Sequence, residues 1–413
     1  MAVIVQKYGG SSVADSERIG AVADKVVAAS EAGGQVVVVV SAMADTTDNL
    51  LEMAQQISPV PPARELDMLL SAGERISIAL LSMAIIERGK DSISFTGSQA
   101  GIVTDTSHGR ARIVEVRARR IAEALETGKI VIVAGFQGIS STSLDVTTLG
   151  RGGSDTTAVA LAAHLDAEVC ELYTDVDGVY TADPRLVDDA RKLHVVSYEE
   201  MLEMSATGAR VLQLRAVEYA RNYGVILHVR SSFGDREGTF VLAEDERMEK
   251  AFISGVTHDT SEAMIRIRRV PDQPGVASRI FGHVADEQIN VDMIVQNVSE
   301  DGRTDVSFTL PKEDLARSQD LIKKVAEDIG AEGFTADSDI AKVSLIGAGL
   351  KTHPGVAADM FKSLADAGIN IEMISTSSIR ISVVIRAEQV EEAVRVVHKA
   401  FDLSTETVAR EEH

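Results

Sequence analysis

The segment Lys7-Tyr8-Gly9-Gly10-Ser11-Ser12 directly follows the apolar run Val3-Ile4-Val5 at the start of the chain. This order predicts a buried strand, a tight glycine turn, and a helix that Ser11 or Ser12 caps. Glycines let backbone N–H groups approach a ligand, and a lysine beside a helix start completes a cradle suited to phosphate. The lysine precedes the glycines, whereas in a Walker loop it follows them. These six residues alone leave open a simple strand-to-helix turn with a surface lysine.

The size and charge of the chain limit what it can be. With 413 residues it is too long for one ordinary core, so two or three domains are expected. Its 45% hydrophobic and 25% charged residues are typical of a globular protein. A formal net charge of -22 argues against a nucleic-acid or anionic-membrane surface, because neutralising phosphates needs clustered Lys and Arg. A local cradle can still hold a small anion.

The cysteine and histidine content argues against a metal or disulfide framework. Cys170 is the only cysteine, which excludes disulfides and cysteine-rich zinc sites within the chain, and its neighbours predict a small core residue in a strand. The nine histidines form no ligand pattern, so we expect no metal site built by the protein. The N-terminus lacks the features of a signal peptide and no run of 18 apolar residues is present, so a cytoplasmic protein is expected.

The first 230 residues alternate apolar β-branched runs with helical stretches. The most apolar runs are 36–40, 130–134 and 225–229. Continuous apolar strands separated by amphipathic helices predict a mainly parallel sheet covered on both faces. Ligands of such sheets gather beyond the carboxyl ends of the strands, where Lys7, Ser41 and Gly135 are expected to lie.

The last 160 residues contain an internal repeat. Pro274-Gly275-Val276 recurs as Pro354-Gly355-Val356, and the Ile-Asn segment 289–294 recurs as 369–374, both with an offset of 80 residues. Each copy predicts the βαββαβ order of a ferredoxin-like module, and two such modules suggest a regulatory platform. The predicted domains are 1–233, a polar linker 234–250, a first module 251–338 and a second module 339–413.

Two more segments carry chemistry. In the turn 148–157, which contains Gly150-Arg151-Gly152-Gly153-Ser154-Asp155, Arg151 offers a fork for a carboxylate or phosphate and Asp155 can accept hydrogen bonds. The alternative is a flexible loop, which the interleaved cation and acid make less attractive. In 173–185, Tyr180 could stack on a purine and Arg185 could pair with phosphate. A solvated turn rich in Asp and Gly explains that second segment equally well.

Together these motifs resemble the aspartokinases, members of the amino acid kinase family with two C-terminal ACT domains. The resemblance rests on KYGGSS, GRGGSDTT, TDVDGVYTADPR and the paired Pro-Gly-Val and Ile-Asn turns, in the same order over the whole chain. It is strongest to the actinobacterial type. It implies an α/β amino-acid-kinase fold followed by two ferredoxin-like ACT domains. It also implies transfer of the γ-phosphoryl group of ATP, with Mg²⁺, to the side-chain carboxylate of L-aspartate.

The resemblance also implies roles for individual residues. Lys7 matches the catalytic lysine, and Asp155 matches the acid that organises the lysines and Mg²⁺. The positions that match ATP contacts are Lys7, Tyr8, Gly9, Gly10, Ser11, Thr174, Asp175, Tyr180, Arg185 and Arg210. Those that match aspartate contacts are Ser41, Thr47, Glu74, Arg151, Gly152, Gly153 and Ser154. Arg210 departs from the family, which usually has a lysine in this Gly-x-Lys context, so its geometry is less certain.

Arg151 suits the α-carboxylate of a free amino acid and Glu74 suits its α-ammonium group. A salt-bridged helix start is the alternative for Glu74 and the neighbouring Arg75. Other amino acid kinases, which use acetylglutamate, carbamate or a nucleotide, lack the paired modules. An inactive amino-acid sensor is a second alternative, against which Lys7 and Asp155 argue. A fusion to homoserine dehydrogenase is excluded by length and by the missing dinucleotide fingerprint.

Regulation and assembly are implied by the same resemblance. Relatives bind threonine at positions that match Asp272, Val276, Ala277, Gln296, Asn370 and Ile371. Feedback inhibition by lysine and threonine is therefore expected, with lysine at a separate site that the sequence does not locate. In the actinobacterial type an internal start yields a short chain of ACT domains only. Met248, at the linker boundary, fits such a start, so a homo-oligomer or a hetero-oligomer with the short chain is expected, with no nucleic-acid or membrane partner.

Overall fold

The structure is a computed structural model that describes residues 2–244, 253–297, 301–351, 353 and 355–404. The chain divides into two compact units. The first contains residues 1–179, 192–205 and 210–248, and the second contains 180–191, 206–209 and 249–413. The predicted position Met248 lies outside the described residues, as does Pro354 of the second Pro-Gly-Val turn.

The first unit is built from alternating strands and helices. Its strands are β1 (Val3–Tyr8), β2 (Gln35–Val40), β3 (Ser92–Phe95), β4 (Ile102–Thr104), β5 (Ile113–Val116), β6 (Ile130–Ala134), β7 (Gln137–Ser140), β8 (Val146–Thr148), β9 (Val169–Thr174), β10 (Val179–Tyr180), β11 (Lys192–Leu193), β12 (Val195–Ser197), β13 (Leu227–Ser231) and β14 (Thr239–Leu242). Its helices are α1 (Ser16–Glu31), α2 (Thr46–Ile57), α3 (Ala63–Leu70), α4 (Ala72–Glu87), α5 (Arg119–Glu126), α6 (Gly153–His164), α7 (Tyr198–Ala206) and α8 (Leu214–Tyr223).

An eight-stranded sheet in the order β12-β14-β13-β9-β1-β2-β6-β3 forms the centre of this unit. The six strands from β13 to β3 run parallel, which confirms the predicted sheet. Their residues are buried on both faces, and five consecutive valines, 36–40, are at most 1% exposed. Because β1 lies between β2 and β9, the carboxyl ends of all these strands meet at one edge beside Lys7.

A smaller sheet and a helix pair stand beside that edge. Strands β5-β4-β7-β8 form the smaller sheet, and β8 ends where the second glycine-rich turn begins. The helical stretch Ala63–Glu87 is long and apolar enough to cross a membrane, which the sequence did not lead us to expect. A core helix of a globular protein has the same composition, and α4 buries Ile78, Leu81 and Ile85 in the core formed with α1 and β2.

The second unit contains the repeat. Its strands are β15 (Gly255–Asp259), β16 (Glu262–Pro271), β17 (Ile294–Gln296), β18 (Arg303–Pro311), β19 (Gly333–Asp337), β20 (Ile340–Ile346), β21 (Met373–Thr376) and β22 (Arg380–Arg386). Its helices are α9 (Val276–Asp286), α10 (Lys312–Asp328), α11 (Val356–Asp366) and α12 (Val390–Ala400), and short 3₁₀ turns occur at Gly10–Val13 in the first unit and at Ala348–Lys351 and Ala387–Gln389 here.

Two antiparallel sheets, β17-β18-β16-β19 and β15-β20-β22-β21, match the two predicted modules in order and character. The predicted domain limits stay predictions, and the strand pairing adds a detail to them. β15 precedes the first module in sequence but pairs with β20 of the second, in the place that β19 occupies beside β16. Lys342 on β20 is 1% exposed and binds Glu262 at 2.5 Å and Asp292 at 2.6 Å, which ties the two modules together.

Candidate active site

A buried ion pair marks the centre of the strand edge. Lys7 Nζ lies 2.7 Å from Asp155 Oδ1, and the two side chains are 14% and 10% exposed. Lys7 is the penultimate residue of β1, and Asp155 lies in the first turn of α6. The N-terminal end of a helix attracts anions, so a lysine and a helix terminus face the same small volume. The structure therefore brings together the two residues predicted to be catalytic.

Close backbone packing shapes the cradle around this pair. A Cβ atom on Gly10 would lie 2.8 Å from the carbonyl oxygen of Ala42, and one on Gly9 would lie 3.4 Å from Lys7 Nζ. Ser41, the first residue after β2, donates its backbone N–H to Tyr8. The turns after β1 and β2 thus pack directly on one another, and side chains at the two glycines would separate them.

Glu74 lies in the first turn of α4, 3% exposed, and its Oε1 accepts a hydrogen bond of 3.1 Å from the N–H of Ala42. Its Oε2 is buried and has no hydrogen-bond partner among the described residues. Burial raises the pKa of Glu74 to about 7. A buried carboxylate oxygen without a donor is costly, and an ammonium group would supply both the donor and the opposite charge.

The second glycine-rich turn leads from β8 into α6. Arg151 is exposed, whereas Gly153 and Ser154 are buried. Gly152 has φ +68°, and a Cβ there would also collide with Gln213 at 2.0 Å, so only glycine fits. Gly135 after β6 packs as tightly, because its Cβ would lie 2.7 Å from Ser154 Oγ. This turn and the ends of β1, β2 and β6 form one continuous surface.

The remaining predicted ATP residues are in different settings. Tyr8 is fully buried, stacks on Tyr173 at 4.5 Å and has its pKa raised by burial, so only its backbone can face a ligand. Ser11 is exposed. Thr174 ends β9 and donates to Asp175 at 2.9 Å.

Tyr180 and Arg185 belong to the second unit, where Arg185 pairs with Asp183 at 2.7 Å. Arg210 is exposed and belongs to the first unit. Thr47 lies in the first turn of α2, half-buried like Ser41.

The predicted effector residues lie on the turns of the two modules. Asp272, Ala277, Gln296 and Asn370 are exposed and Ile371 is half-buried. Val276, the first residue of α9, is buried in the core of its module, so it can contribute only through its backbone.

Sequence reasoning missed one polar contact at this edge. Ser12 Oγ and Ser232 Oγ lie 2.5 Å apart, both nearly buried, and the N–H of Ser232 donates to the carbonyl of Thr174. Ser232 directly follows β13, so the rule that ligands gather at carboxyl ends could have identified it.

Metal-binding groups and reactive cysteine are absent from the edge. Among the described residues no group of three or more His, Cys, Asp or Glu side chains is arranged to hold a metal ion. Cys170 is fully buried, and desolvation raises its thiol pKa above the ordinary value, so it is a poor nucleophile.

Comparison with known families gives the same division of the chain. Residues 2–231 match the model of the amino acid kinase family, and residues 263–329 and 343–401 each match an ACT domain. The aspartokinase of Mycolicibacterium smegmatis is 57% identical over 98% of this chain and 97% of its own length. The aspartokinase of Corynebacterium glutamicum is 54% identical over 99% and 98%. The resemblance inferred from the motifs is confirmed.

Solved structures agree. E. coli aspartokinase III in complex with aspartate and ADP, described as the R-state, is 26% identical with a TM-score of 0.83, covering 96% of this chain and 99% of that one. The same enzyme in complex with lysine and aspartate, described as the T-state, has a TM-score of 0.74 and covers 97% and 99%.

The buried carboxyl of Glu74 should make stability depend on pH. Its folded pKa of about 7 lies above the unfolded value, so the wild type loses stability as pH rises through this range. We expect Glu74→Gln to gain about 2 kcal/mol of unfolding free energy relative to the wild type between pH 5 and pH 8. Urea denaturation at several pH values measures this difference.

Glu87→Gln, at the exposed end of the same helix, is the control and should follow the wild type at every pH. A difference between Glu74→Gln and the wild type that stays constant from pH 5 to pH 8 would show that Glu74 is not raised.

Proposed function

The chain belongs to the aspartokinases of the amino acid kinase family, and we propose that it transfers the γ-phosphoryl group of MgATP to the side-chain carboxylate of L-aspartate. The product is 4-phospho-L-aspartate, from which lysine, threonine, methionine and diaminopimelate are made in the cytoplasm. The observation that carries the proposal is the Lys7–Asp155 pair at the same sheet edge as the unpartnered Glu74 carboxylate. E. coli aspartokinase III, the similar enzyme solved with aspartate and ADP, supports the same two ligands here.

The chemistry requires charge neutralisation more than proton transfer. A carboxylate is already ionised at neutral pH, so the attacking oxygen needs no general base. The difficulty is bringing two anions together and holding them in line. Lys7, the N–H groups of the turn 9–11 and the start of α6 provide positive potential where charge develops. Asp155 holds the Lys7 ammonium in place and faces the Mg²⁺ that arrives with ATP.

Aspartate itself is recognised at both ends of its backbone. In this proposal Glu74 accepts from the α-ammonium group, and Arg151 pairs with the α-carboxylate beside Ser154. Binding an ammonium beside Glu74 lowers the pKa of its carboxyl group, so aspartate binding should weaken as pH falls below about 7. The other amino acid kinases considered above would not need this pair, and comparing aspartate with acetylglutamate as phosphoryl acceptor separates them.

Replacing Lys7 by alanine tests the mechanism. We expect Lys7→Ala to lower kcat by about a thousandfold, since it removes a preorganised charge from the transition state. A coupled assay of ADP release with saturating aspartate and ATP gives this value, and circular dichroism checks the fold. The control is Lys90→Ala, which removes a surface lysine paired with Glu31 and should keep normal turnover. Normal turnover in a folded Lys7→Ala variant would contradict the mechanism.

We propose that lysine and threonine inhibit the enzyme through the ACT modules. E. coli aspartokinase III has been solved with lysine in its T-state, which supports feedback in a similar enzyme. In this chain the segment 180–191, which contains Tyr180 and Arg185, belongs to the same unit as the modules. Thr181 Oγ1 lies 3.0 Å from His398 Nε2, and the N–H of Val256 donates to the Thr181 carbonyl at 2.7 Å. A shift of the second module would therefore move two proposed nucleotide residues.

Gln296→Ala should relieve this inhibition. Gln296 is exposed at the end of β17, where its amide can bind the effector, and a coupling of about 1–3 kcal/mol corresponds to a 5- to 150-fold change in affinity. Activity is measured with lysine and threonine added singly and together, and we expect the strongest inhibition from the pair. Gln389→Ala in the second module is the control. Unchanged inhibition of the Gln296→Ala variant would mean that the pocket lies elsewhere.

We propose further that the enzyme assembles with a short chain of ACT modules translated from Met248. Two modules with exposed edge strands, β17 and β21, suit pairing between chains. Mass spectrometry of the untagged product should show a full-length and a short chain, and Met248→Leu should remove only the short one. A single species from the unaltered gene would contradict the proposal and leave a homo-oligomer.

A further inference from the structure

Asp67 in the middle of α3 is a buried charge that neither the motifs nor the mechanism uses. It is 1% exposed and accepts hydrogen bonds from three groups. Thr148 Oγ1 donates to Oδ1 at 2.5 Å, His108 Nδ1 lies 2.7 Å from Oδ2, and the N–H of Gly109 is 3.1 Å from both oxygens. A buried carboxylate this fully satisfied fixes the groups around it, because each donor that moved away would leave charge uncompensated.

Two of these contacts lead to the turn that carries Arg151. Thr148 is the last residue of β8, three residues before Arg151. Gly109 packs under the same turn, since its carbonyl oxygen would lie 3.0 Å from a Cβ on Gly150. Arg215 supports the turn from the other side by donating to the carbonyl of Leu149 at 2.7 Å. The base of the turn is thus fixed on both sides, while the Arg151 side chain remains exposed.

The other end of α3 leads to Glu74. The helix ends at Leu70, and Ser71 joins it directly to α4, in which Glu74 is the third residue. Gln137 donates its side-chain amide to the carbonyl of Ser71 at 2.9 Å, so the junction is held as well. Asp67 therefore sits on a short rigid helix between the two groups assigned to the substrate backbone.

We infer that Asp67 is a positioning residue that sets the spacing between Arg151 and Glu74 through its hydrogen bond to Thr148, and so determines the affinity for aspartate. This inference rests on the proposed function. Asp67 is remote from the phosphates, because its contacts are with α3, β8 and the loop before β5 rather than with Lys7. Its loss should therefore raise the KM for aspartate and leave the KM for ATP and kcat nearly unchanged.

Thr148→Val is the main test, because it keeps the shape of the side chain and removes one hydrogen bond to a charged group. We expect the KM for aspartate to rise at least about fivefold, with kcat and the KM for ATP changed by less than about twofold. Asp67→Asn, which removes the charge, should shift the same constant in the same direction. If Asp67→Asn fails to fold, Thr148→Val still decides the question.

Thr104→Val is a matched control. Thr104 is a buried threonine of the same small sheet whose hydroxyl lies 2.6 Å from Thr147 Oγ1 rather than bonding to Asp67. A general loss of stability in this sheet would affect the Thr104 and Thr148 variants alike. We expect the KM for aspartate of Thr104→Val to equal that of the wild type.

A double-mutant cycle shows whether Thr148 acts through Arg151. Arg151→Ala alone should raise the KM for aspartate, and adding Thr148→Val should raise it no further, because the spacing no longer matters. Multiplying effects, or an unchanged KM in Thr148→Val while Arg151→Ala raises it, would overturn this inference alone. An unchanged KM in Arg151→Ala would overturn the assignment of Arg151 in the proposed function, and this inference with it.

Discussion

The ion pair between Lys7 and Asp155 is the constraint on which the rest of the catalytic unit depends. Two charged groups 2.7 Å apart and nearly removed from water are stable only if the surrounding chain holds both in position. The parallel sheet does this for Lys7 by placing β1 between β2 and β9, and the glycine turn does it for Asp155 by starting α6 at Gly153. Positive potential is thereby available before any phosphate arrives.

The substrate side depends on backbone contacts more than on side chains. Glu74 is held by the N–H of Ala42, the same residue whose carbonyl would meet a Cβ on Gly10. A change in the turn after β2 would therefore reach both the phosphate cradle and the group proposed to bind the ammonium. Catalysis by positioning requires such rigidity, because a displacement of about 1 Å can cost a hundredfold in rate.

The second unit uses one sheet design twice but does not keep the two copies separate. β15 crosses from the front of the first module to complete the sheet of the second, and Lys342 joins β20 to Glu262 and Asp292 across the modules. The same strand also receives the segment 180–191 through Val256 and Thr181. An effector that changes one module is therefore bound to act on the other, which is the arrangement that concerted inhibition needs.

The sequence alone determined the parallel sheet, the two βαββαβ modules and the Lys7–Asp155 assignment, because these follow from periodicity, glycine turns and an 80-residue repeat, all of which are local patterns. Tertiary structure alone decided that Tyr8 faces the core and that β15 joins the second module. It also decided that Asp67 connects α3 to Thr148, 81 residues away. Burial and long-range hydrogen bonds depend on which segments meet in space, and no single sequence pattern records that.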